Sequence, residues 1–154
     1  AGLITAARTV NRSMPSHVAG VLTELIDNYG IPAADAKVLL LGWSYKAEVG
    51  DPRETPAEPL AQTLMSKGIE VGAWDPHIMS TDYPEGVTVI EDINDAQDYD
   101  MAVLVTAHKA CIDLDWQSLL ENMRTPILYD GRRVLNLSEL ETVGWQTHAV
   151  GKPI

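Results

Sequence analysis

The chain has 154 residues, 45% of them apolar, so it can bury one ordinary core, and we expect a single domain with one appended element. Its formal net charge of −11 argues against nucleic acid or an anionic membrane surface as a partner, because both attract clustered positive charge. Cys111 is the sole cysteine, which excludes an internal disulfide, leaves no cysteine-based metal site and favours an intracellular, cytoplasmic setting. No apolar run in the sequence is long enough to span a bilayer.

Helical periodicity dominates the start of the chain. Apolar residues recur at helical spacing over residues 3–10 and again over residues 18–26, with Pro15 between the two stretches. We expect one long helix that is kinked at this proline and ends near Gly30. Ala1 has no capping residue before it, so we expect the helix to continue upstream in a longer parent chain.

After this helix, short apolar strands alternate with further helices. The predicted strands are Val38–Leu41, Glu70–Trp74, Gly86–Ile90, Met101–Thr106, Pro126–Tyr129 and Trp145–Val150. The predicted helices are Pro56–Lys67, Ile93–Gln97, Asp115–Met123 and Leu137–Val143. This alternation predicts an α/β fold over residues 31–154, a Rossmann-like, doubly wound sheet of five to six mainly parallel strands, preceded by the kinked helix of residues 1–30.

The loop after the first strand leads into a helix start. Thr55, with Glu58 three residues later, forms a capping box, and Pro56 suits the first helical position, where its missing N–H costs nothing. A helix amino terminus presents unpaired N–H groups and the positive end of the helix dipole. This end of the loop therefore suits a phosphate or a carboxylate.

Several cations follow the ends of predicted strands. They are Lys46, Arg53, Arg132 and Arg133. The carboxyl ends of the strands form the ligand-binding edge of an open α/β sheet, and Lys and Arg at that edge would neutralise a diphosphate. Alternatively, these cations form surface ion pairs with nearby acids. The acids in question are Glu48, Asp51, Glu54 and Asp130. Local sequence leaves both interpretations open.

The usual dinucleotide-binding fingerprint is missing from this sequence. Only Gly42 follows the first strand, and Trp43 and Tyr45 would crowd a pyrophosphate lying on the backbone. Asp75 ends the second strand, where such folds place an acid that binds ribose, but Asp-Pro is also an ordinary turn. We interpret Asp75 as a turn residue.

Cys111 and His108 lie close together in a predicted loop, and such a pair can supply a nucleophile and its base. No third group that would orient the histidine is evident in the sequence. We interpret Cys111 as a buried or partly buried neutral thiol, and His108 as a loop residue that forms hydrogen bonds.

Motifs in several separate segments agree in order and spacing with one known family. The first two are Gly42-Trp43-Ser44-Tyr45-Lys46 and Gly50-Asp51-Pro52-Arg53-Glu54-Thr55-Pro56-Ala57. The later ones are Trp74-Asp75-Pro76, Thr106-Ala107-His108, Leu114-Asp115-Trp116 and Tyr129-Asp130-Gly131-Arg132. Together they resemble the carboxy-terminal, UDP-binding domain of the UDP-glucose/GDP-mannose dehydrogenase family. Residues 7–15 are similar to the end of the long helix that joins the two halves of those enzymes, so the resemblance covers essentially the whole chain.

This resemblance implies an activity and a set of site residues. Enzymes of the family oxidise the C6 hydroxyl of a nucleotide sugar to a carboxylate by hydride transfer to NAD. Their NAD-binding domain and nucleophilic cysteine precede the central helix and are missing from this sequence, so we assign no catalytic residue and no metal ligand. By the match, Tyr45 and Lys46 would contact the UDP-sugar, and Arg132 would bind it from the Asp-Gly-Arg turn. Arg53 would reach the NAD held by the opposite domain.

The resemblance also implies a biological setting. We expect the nucleotide-sugar-binding domain of an NAD-dependent 6-dehydrogenase that makes uronic acids for surface polysaccharide, as a homodimer formed through the linking helix. The fragment alone is expected to bind nucleotide without turnover. Two alternatives are a stand-alone nucleotide-binding or regulatory module and a dimerisation module with a degenerate site. The sequence does not choose among UDP-glucose, UDP-N-acetylmannosamine and GDP-mannose.

Overall fold

The computed structural model describes residues 17–53, 55–78 and 80–151. Helix α1 covers residues 17–28 of this part, and the chain leaves it through Gly30, whose φ of +77° suits a helix end. The helix therefore ends where the sequence predicted. The preceding segment, with the predicted kink at Pro15, lies outside the described residues.

Within the described residues, six strands form one sheet. They are β1 (Lys37–Leu41), β2 (Glu70–Trp74), β3 (Thr88–Val89), β4 (Met101–Leu104), β5 (Ile127–Asp130) and β6 (Gln146–Ala149). All neighbouring strands run parallel, in the order β3-β2-β1-β4-β5-β6. This confirms the prediction of a Rossmann-like parallel sheet. The strand order reverses between β1 and β4, and ligands bind at such switch points in open α/β sheets.

Four more helices accompany the sheet in the described part of the chain. They are α2 (Ala57–Ser66), α3 (Lys109–Ile112), α4 (Trp116–Glu121) and α5 (Leu137–Val143). Short 3-10 turns cover Ala33–Asp35, Ser80–Asp82 and Ile93–Asp95. None of the helices in the described ranges is both long and apolar enough to cross a membrane.

The central strand β1 shows why its sequence is an unbroken apolar run. Val38 and Leu40 belong to one buried cluster, whereas Leu39 and Leu41 belong to a second cluster on the opposite face of the sheet. Helices α1 and α2 contribute to the first cluster, and α4 and α5 contribute to the second. A parallel strand covered on both faces needs apolar side chains at every position, which is the pattern observed.

Some element boundaries differ from the sequence predictions. The predicted strand over Met101–Thr106 ends at Leu104, because the chain bends there and the N–H groups of Val105 and Thr106 both reach the carbonyl oxygen of Leu41. The predicted helix over Ile93–Gln97 is a single 3-10 turn, Ile93–Asp95, closed by a hydrogen bond from Asn94 N–H to the side chain of Asp92. The short helix α3 was not predicted.

Candidate functional site

The segment after β1, which we call the β1 loop (residues 42–53), lies at the carboxyl edge of the sheet. Its first residue, Gly42, has a φ of +93°, and its N–H donates to the carbonyl oxygen of Trp74 at 2.8 Å. A Cβ at this position would lie 2.6 Å from the Cβ of Thr106, so the site requires glycine. The hydroxyl of Thr106 in turn donates to the carbonyl oxygen of Ser44 at 2.7 Å. The β1 loop is therefore packed against the residues that follow β4.

Asp75, directly after β2, is the buried anchor of the β1 loop. Its Oδ2 accepts hydrogen bonds from Trp43 N–H at 2.6 Å and from the N–H and hydroxyl of Ser44, both at 2.8 Å. Its Oδ1 accepts from His77 N–H at 2.8 Å, which closes the turn that the sequence indicated. Burial opposes ionisation, but these hydrogen bonds outweigh it and hold the pKa of Asp75 below its ordinary value. The carboxylate is thus committed to contacts within the protein rather than to a ribose.

His108 is a buried link between the β1 loop and the segment after β4. Its Nδ1 accepts a hydrogen bond from Glu48 N–H at 2.8 Å, so Nδ1 carries no proton. Its Nε2 therefore carries the proton and donates to Asp75 Oδ2 at 2.9 Å, with Ser44 Oγ 3.2 Å away. Both ring nitrogens of this neutral histidine are used inside the protein, in agreement with the hydrogen-bonding role that we inferred from the sequence.

Cys111 is fully buried in α3. Burial raises the pKa of its thiol to about 12, and the negative charges of Asp75 and Glu48 act in the same direction. A thiol is nucleophilic only as the thiolate, so burial disfavours the reactive form of Cys111. This confirms the prediction of a buried neutral thiol.

An open pocket of about 420 Å³ lies on the β1 loop, lined by Tyr45, Lys46, Val49, Asp51 and Arg53. Tyr45 and Val49 are 48% and 49% exposed, so apolar surface is available beside the charged groups. Lys46 Nζ lies 5.9 Å from the centroid of the Tyr45 ring, within range of a cation–π contact. The pocket thus combines an aromatic face with an ammonium group, which suits an anionic ligand that carries a flat ring.

Arg53 is paired with a carboxylate on its own loop. Its Nε and Nη2 donate to the two oxygens of Asp51 at 3.0 and 3.1 Å, and these hydrogen bonds lower the pKa of Asp51. The alternative of a surface ion pair therefore holds for Arg53 and Asp51. The Arg53 side chain is nevertheless 85% exposed, so the pair adds little to stability.

The turn after β5 is organised by Asp130, which is fully buried. Its carboxylate oxygens accept hydrogen bonds of 2.8 to 2.9 Å from the N–H groups of Arg132, Arg133, Val134 and Leu135. At Gly131 a Cβ would lie 2.6 Å from the carbonyl oxygen of Leu104, so a larger residue would displace the turn. From the sequence, Asp130 was interpreted as an ion-pair partner and as part of the Asp-Gly-Arg turn, but not as a buried anchor. An acid at the end of a buried strand and before a glycine was the available signal for its anchoring role.

The residues expected to bind ligand lie at one edge but not in one pocket. Tyr45, Lys46 and Arg53 line the pocket on the β1 loop, whereas Arg132 is exposed after β5, two strands along the same edge, and does not line that pocket. Among the described residues, neither Lys46 nor Arg132 forms an ion pair with a carboxylate. The charges of these two cations are therefore available to an anionic ligand.

The start of α2 differs in detail from the predicted capping box. The hydroxyl of the buried Thr55 accepts a hydrogen bond from Ala57 N–H at 3.1 Å and donates to the carbonyl oxygen of Trp43. Helix α2 begins at Ala57, and the reciprocal bond from Glu58 is missing from the hydrogen bonds of the described residues. Thr55 satisfies one helical N–H, as a capping residue does, so that donor is not available to an anion.

Comparison with known proteins gives these features a family context. Residues 39–137 match the model of the UDP-glucose/GDP-mannose dehydrogenase family, UDP binding domain. The UDP-N-acetyl-D-mannosamine dehydrogenase of Pyrococcus horikoshii is 31% identical over 134 residues, which cover 87% of this chain and 30% of that protein. The UDP-glucose 6-dehydrogenase of Rickettsia bellii is 28% identical over 149 residues, covering 94% of this chain and 34% of that protein.

A solved structure shows the same relationship. The NDP-N-acetyl-D-galactosaminuronic acid dehydrogenase of Methanosarcina mazei has a TM-score of 0.84 and 26% identity over 96% of this chain and 31% of its own. This chain spans about a third of the length of the relatives that it matches. The family match runs from β1 to the start of α5 and includes the β1 loop and the turn after β5. The chain therefore belongs to the UDP-glucose/GDP-mannose dehydrogenase family and carries its UDP-binding domain, as the sequence motifs predicted.

Proposed function

We propose that this chain binds the nucleotide of a UDP-sugar at the carboxyl edge of its sheet, as part of an NAD-dependent nucleotide-sugar 6-dehydrogenase. The whole protein would oxidise the C6 hydroxyl of the sugar to a carboxylate and so form a uronic acid. The observation that carries the proposal is the placement of Lys46 and Arg132, two cations without a carboxylate partner among the described residues, at this edge of a protein with a net charge of −11. Family membership supports UDP as the nucleotide.

Each of the proposed site residues has a distinct role. Lys46 would contact the nucleotide sugar as a compact positive charge beside the ring of Tyr45. Arg132 would bind it from the turn after β5, because a guanidinium matches paired phosphate oxygens. Arg53, oriented by Asp51, would reach toward the NAD.

The β1 loop lacks the features by which a parallel sheet usually holds a dinucleotide. A dinucleotide pyrophosphate needs glycines and free backbone N–H groups after the first strand. In this chain Thr106 fills the space beside Gly42, and the N–H groups of Trp43 and Ser44 already donate to Asp75. NAD would therefore be held by another part of a longer protein, and we expect this chain alone to bind nucleotide without turnover.

Calorimetric titration tests the proposal. We expect UDP and UDP-glucose to bind the unmodified chain, and GDP and NAD to bind it more weakly. Lys46→Ala and Arg132→Ala should each weaken UDP binding about tenfold or more, since a hydrogen bond to a charged group contributes about 1.5 to 3 kcal/mol. UDP-N-acetylmannosamine and GDP-mannose, titrated in parallel, identify the preferred sugar.

Lys67→Ala is the matched control for these variants. Lys67 follows α2 directly before β2 begins, so it lies at the opposite edge of the sheet. Its removal changes the net charge by the same amount as the loss of Lys46 and should leave UDP affinity unchanged. Equal weakening by all variants would indicate a general charge effect, and no binding by the unmodified chain would favour a dimerisation module instead.

The proposal also includes an assembly and a setting. Residues 1–30 would be the end of a linking helix through which the protein forms a homodimer in the cytoplasm, where it would supply uronic acids for surface polysaccharide. Sedimentation at increasing protein concentration tests the dimer. A strictly monomeric species at the highest concentration would contradict it.

A further inference from the structure

Glu48 of the β1 loop joins three segments of the chain. Its backbone N–H donates to His108 Nδ1 at 2.8 Å. Its carboxylate accepts the N–H of Lys109 at 2.5 Å through Oε1 and lies 3.1 Å from His77 Nε2 through Oε2. One residue of the β1 loop is thus fastened to the segment after β2 and to the segment after β4.

Glu48 also has a backbone conformation that is uncommon for a residue other than glycine. Its φ is +62°, in the left-handed region that favours glycine and, to a lesser degree, asparagine. A glutamate pays a steric cost there that glycine would avoid. Strained positions of this kind persist where surrounding contacts over-determine them, and the hydrogen bonds of this side chain are such contacts.

Two fixed points bracket Lys46 on the chain. On its amino side, Trp43 and Ser44 are held by Asp75, and on its carboxyl side the anchor is Glu48. We propose that Glu48 is a positioning residue that holds Lys46 at the nucleotide pocket by fastening the β1 loop to its neighbours. This inference rests on the proposed role of Lys46 in binding UDP.

A metal site is the competing explanation for the cluster. The ligand atoms of Glu48, His77 and His108 lie within 4.8 Å of one another, close enough to share an ion. However, both ring nitrogens of His108 are engaged, Nδ1 by Glu48 N–H and Nε2 by Asp75. The carboxylate of Glu48 likewise accepts Lys109 N–H and pairs with His77. These hydrogen bonds engage both ring nitrogens of His108 and both carboxylate oxygens of Glu48, which favours a positioning role.

Two substitutions of Glu48 separate its positioning role from the effect of its negative charge. Glu48→Gln keeps an oxygen that accepts Lys109 N–H and an amide that can donate to His77, but it removes the negative charge. Glu48→Gly removes the side chain and also relieves the backbone. Loss of a negative charge near an anion site would by itself strengthen binding, so weaker binding by the glycine variant would have the opposite sign to the electrostatic effect.

We expect the affinity of Glu48→Gln for UDP to be within about twofold of that of the unmodified chain. Glu48→Gly should bind UDP about tenfold more weakly, because Lys46 would no longer be held where it forms its charge-assisted hydrogen bond. Glu91→Gly, at an exposed loop position after β3, is the control for the glycine change and should bind normally. A Glu48→Gly variant that binds UDP as tightly as Glu48→Gln would overturn the inference.

Amide hydrogen exchange without ligand tests the positioning role independently of UDP. Tyr45 N–H donates to the carbonyl oxygen of Asp51 at 3.0 Å, and Val49 N–H donates to that of Lys46 at 3.4 Å. Both amides should exchange faster in Glu48→Gly than in Glu48→Gln, because the loop loses its anchor. Unchanged exchange would overturn the positioning role, whereas failure of the unmodified chain to bind UDP would overturn the proposed function instead.

Discussion

Replacing Asp75 by asparagine changes one charge and almost no volume, so it isolates the electrostatic part of the β1-loop anchor. The carboxylate Oδ2 accepts hydrogen bonds from Trp43 and Ser44, and Oδ1 accepts from His77. His108 Nε2–H also donates to Oδ2 at 2.9 Å. An amide offers a single acceptor atom in place of two, so Asp75→Asn cannot satisfy all of these donors.

The expected decrease in the free energy of unfolding follows from the number of donors that Asp75 satisfies. If the amide oxygen takes the place of Oδ2, the amide nitrogen faces the N–H of His77, and one donor left unpaired costs about 1 to 3 kcal/mol. The bonds that remain change from charge-assisted ones of about 1.5 to 3 kcal/mol to neutral ones of about 1 kcal/mol. Because partial relaxation offsets part of this loss, we expect Asp75→Asn to lower the free energy of unfolding by about 3 kcal/mol, a large share of the roughly 5 to 15 kcal/mol of a typical domain.

Urea unfolding followed by tryptophan fluorescence measures this difference. Asp113→Asn is the matched control, because Asp113 is exposed and its side chain forms no hydrogen bond within the described residues, so a change under about 0.5 kcal/mol is expected. A loss below about 1 kcal/mol for Asp75→Asn would refute the view that its charge anchors the loop.

Three further predictions follow from other parts of the molecule. Because burial raises the pKa of Cys111 to about 12, we expect a thiol reagent to modify it in urea but not in the folded protein, and rapid labelling under native conditions would contradict this. Gly131→Ala should lower the free energy of unfolding by about 1 to 3 kcal/mol because its Cβ would meet a carbonyl oxygen of β4. Gly20→Ala, in open space on α1, should not be destabilising, and an equal loss in both variants would show that the close contact is irrelevant. Burial opposes ionisation of Asp100, but hydrogen bonds from Arg124, Thr125 and Lys37 together outweigh it and lower the folded-state pKa. The contribution of Asp100 to stability is therefore full above the unfolded value of about 3.9 and is lost as pH falls through the folded value. Urea unfolding below about pH 5 should show this loss, with a shallower pH dependence in Asp100→Asn, and identical slopes would be evidence against it.

Elements with strong local signals matched their predicted bounds. Helix α5 covers Leu137–Val143 as predicted, because the side chain of Asn136 accepts Glu139 N–H at its start and Gly144, with a φ of +128°, ends it. The edge strand β3 is shorter than its pattern indicated, since it has a single neighbour and pairs over only Thr88–Val89. Sequence periodicity does not report how far a neighbouring strand extends.

The candidate site was predictable only in part. Strand topology was enough to bring Lys46 and Arg132 to the same edge of the sheet. The two anchors of the β1 loop were not predictable, because Asp75 reaches Trp43 across 32 residues and Glu48 reaches Lys109 across 61. Contacts of this length depend on the folded chain, and no local motif encodes them.

The most direct test of UDP binding at this edge is a titration of the isotopically labelled chain with UDP, followed by amide NMR. We expect shift changes to concentrate in the β1 loop around Lys46 and in the turn around Arg132, and to need about tenfold more UDP in Lys46→Ala but no more in Lys67→Ala. Changes located elsewhere on the domain, or none at saturating UDP, would contradict the proposed site.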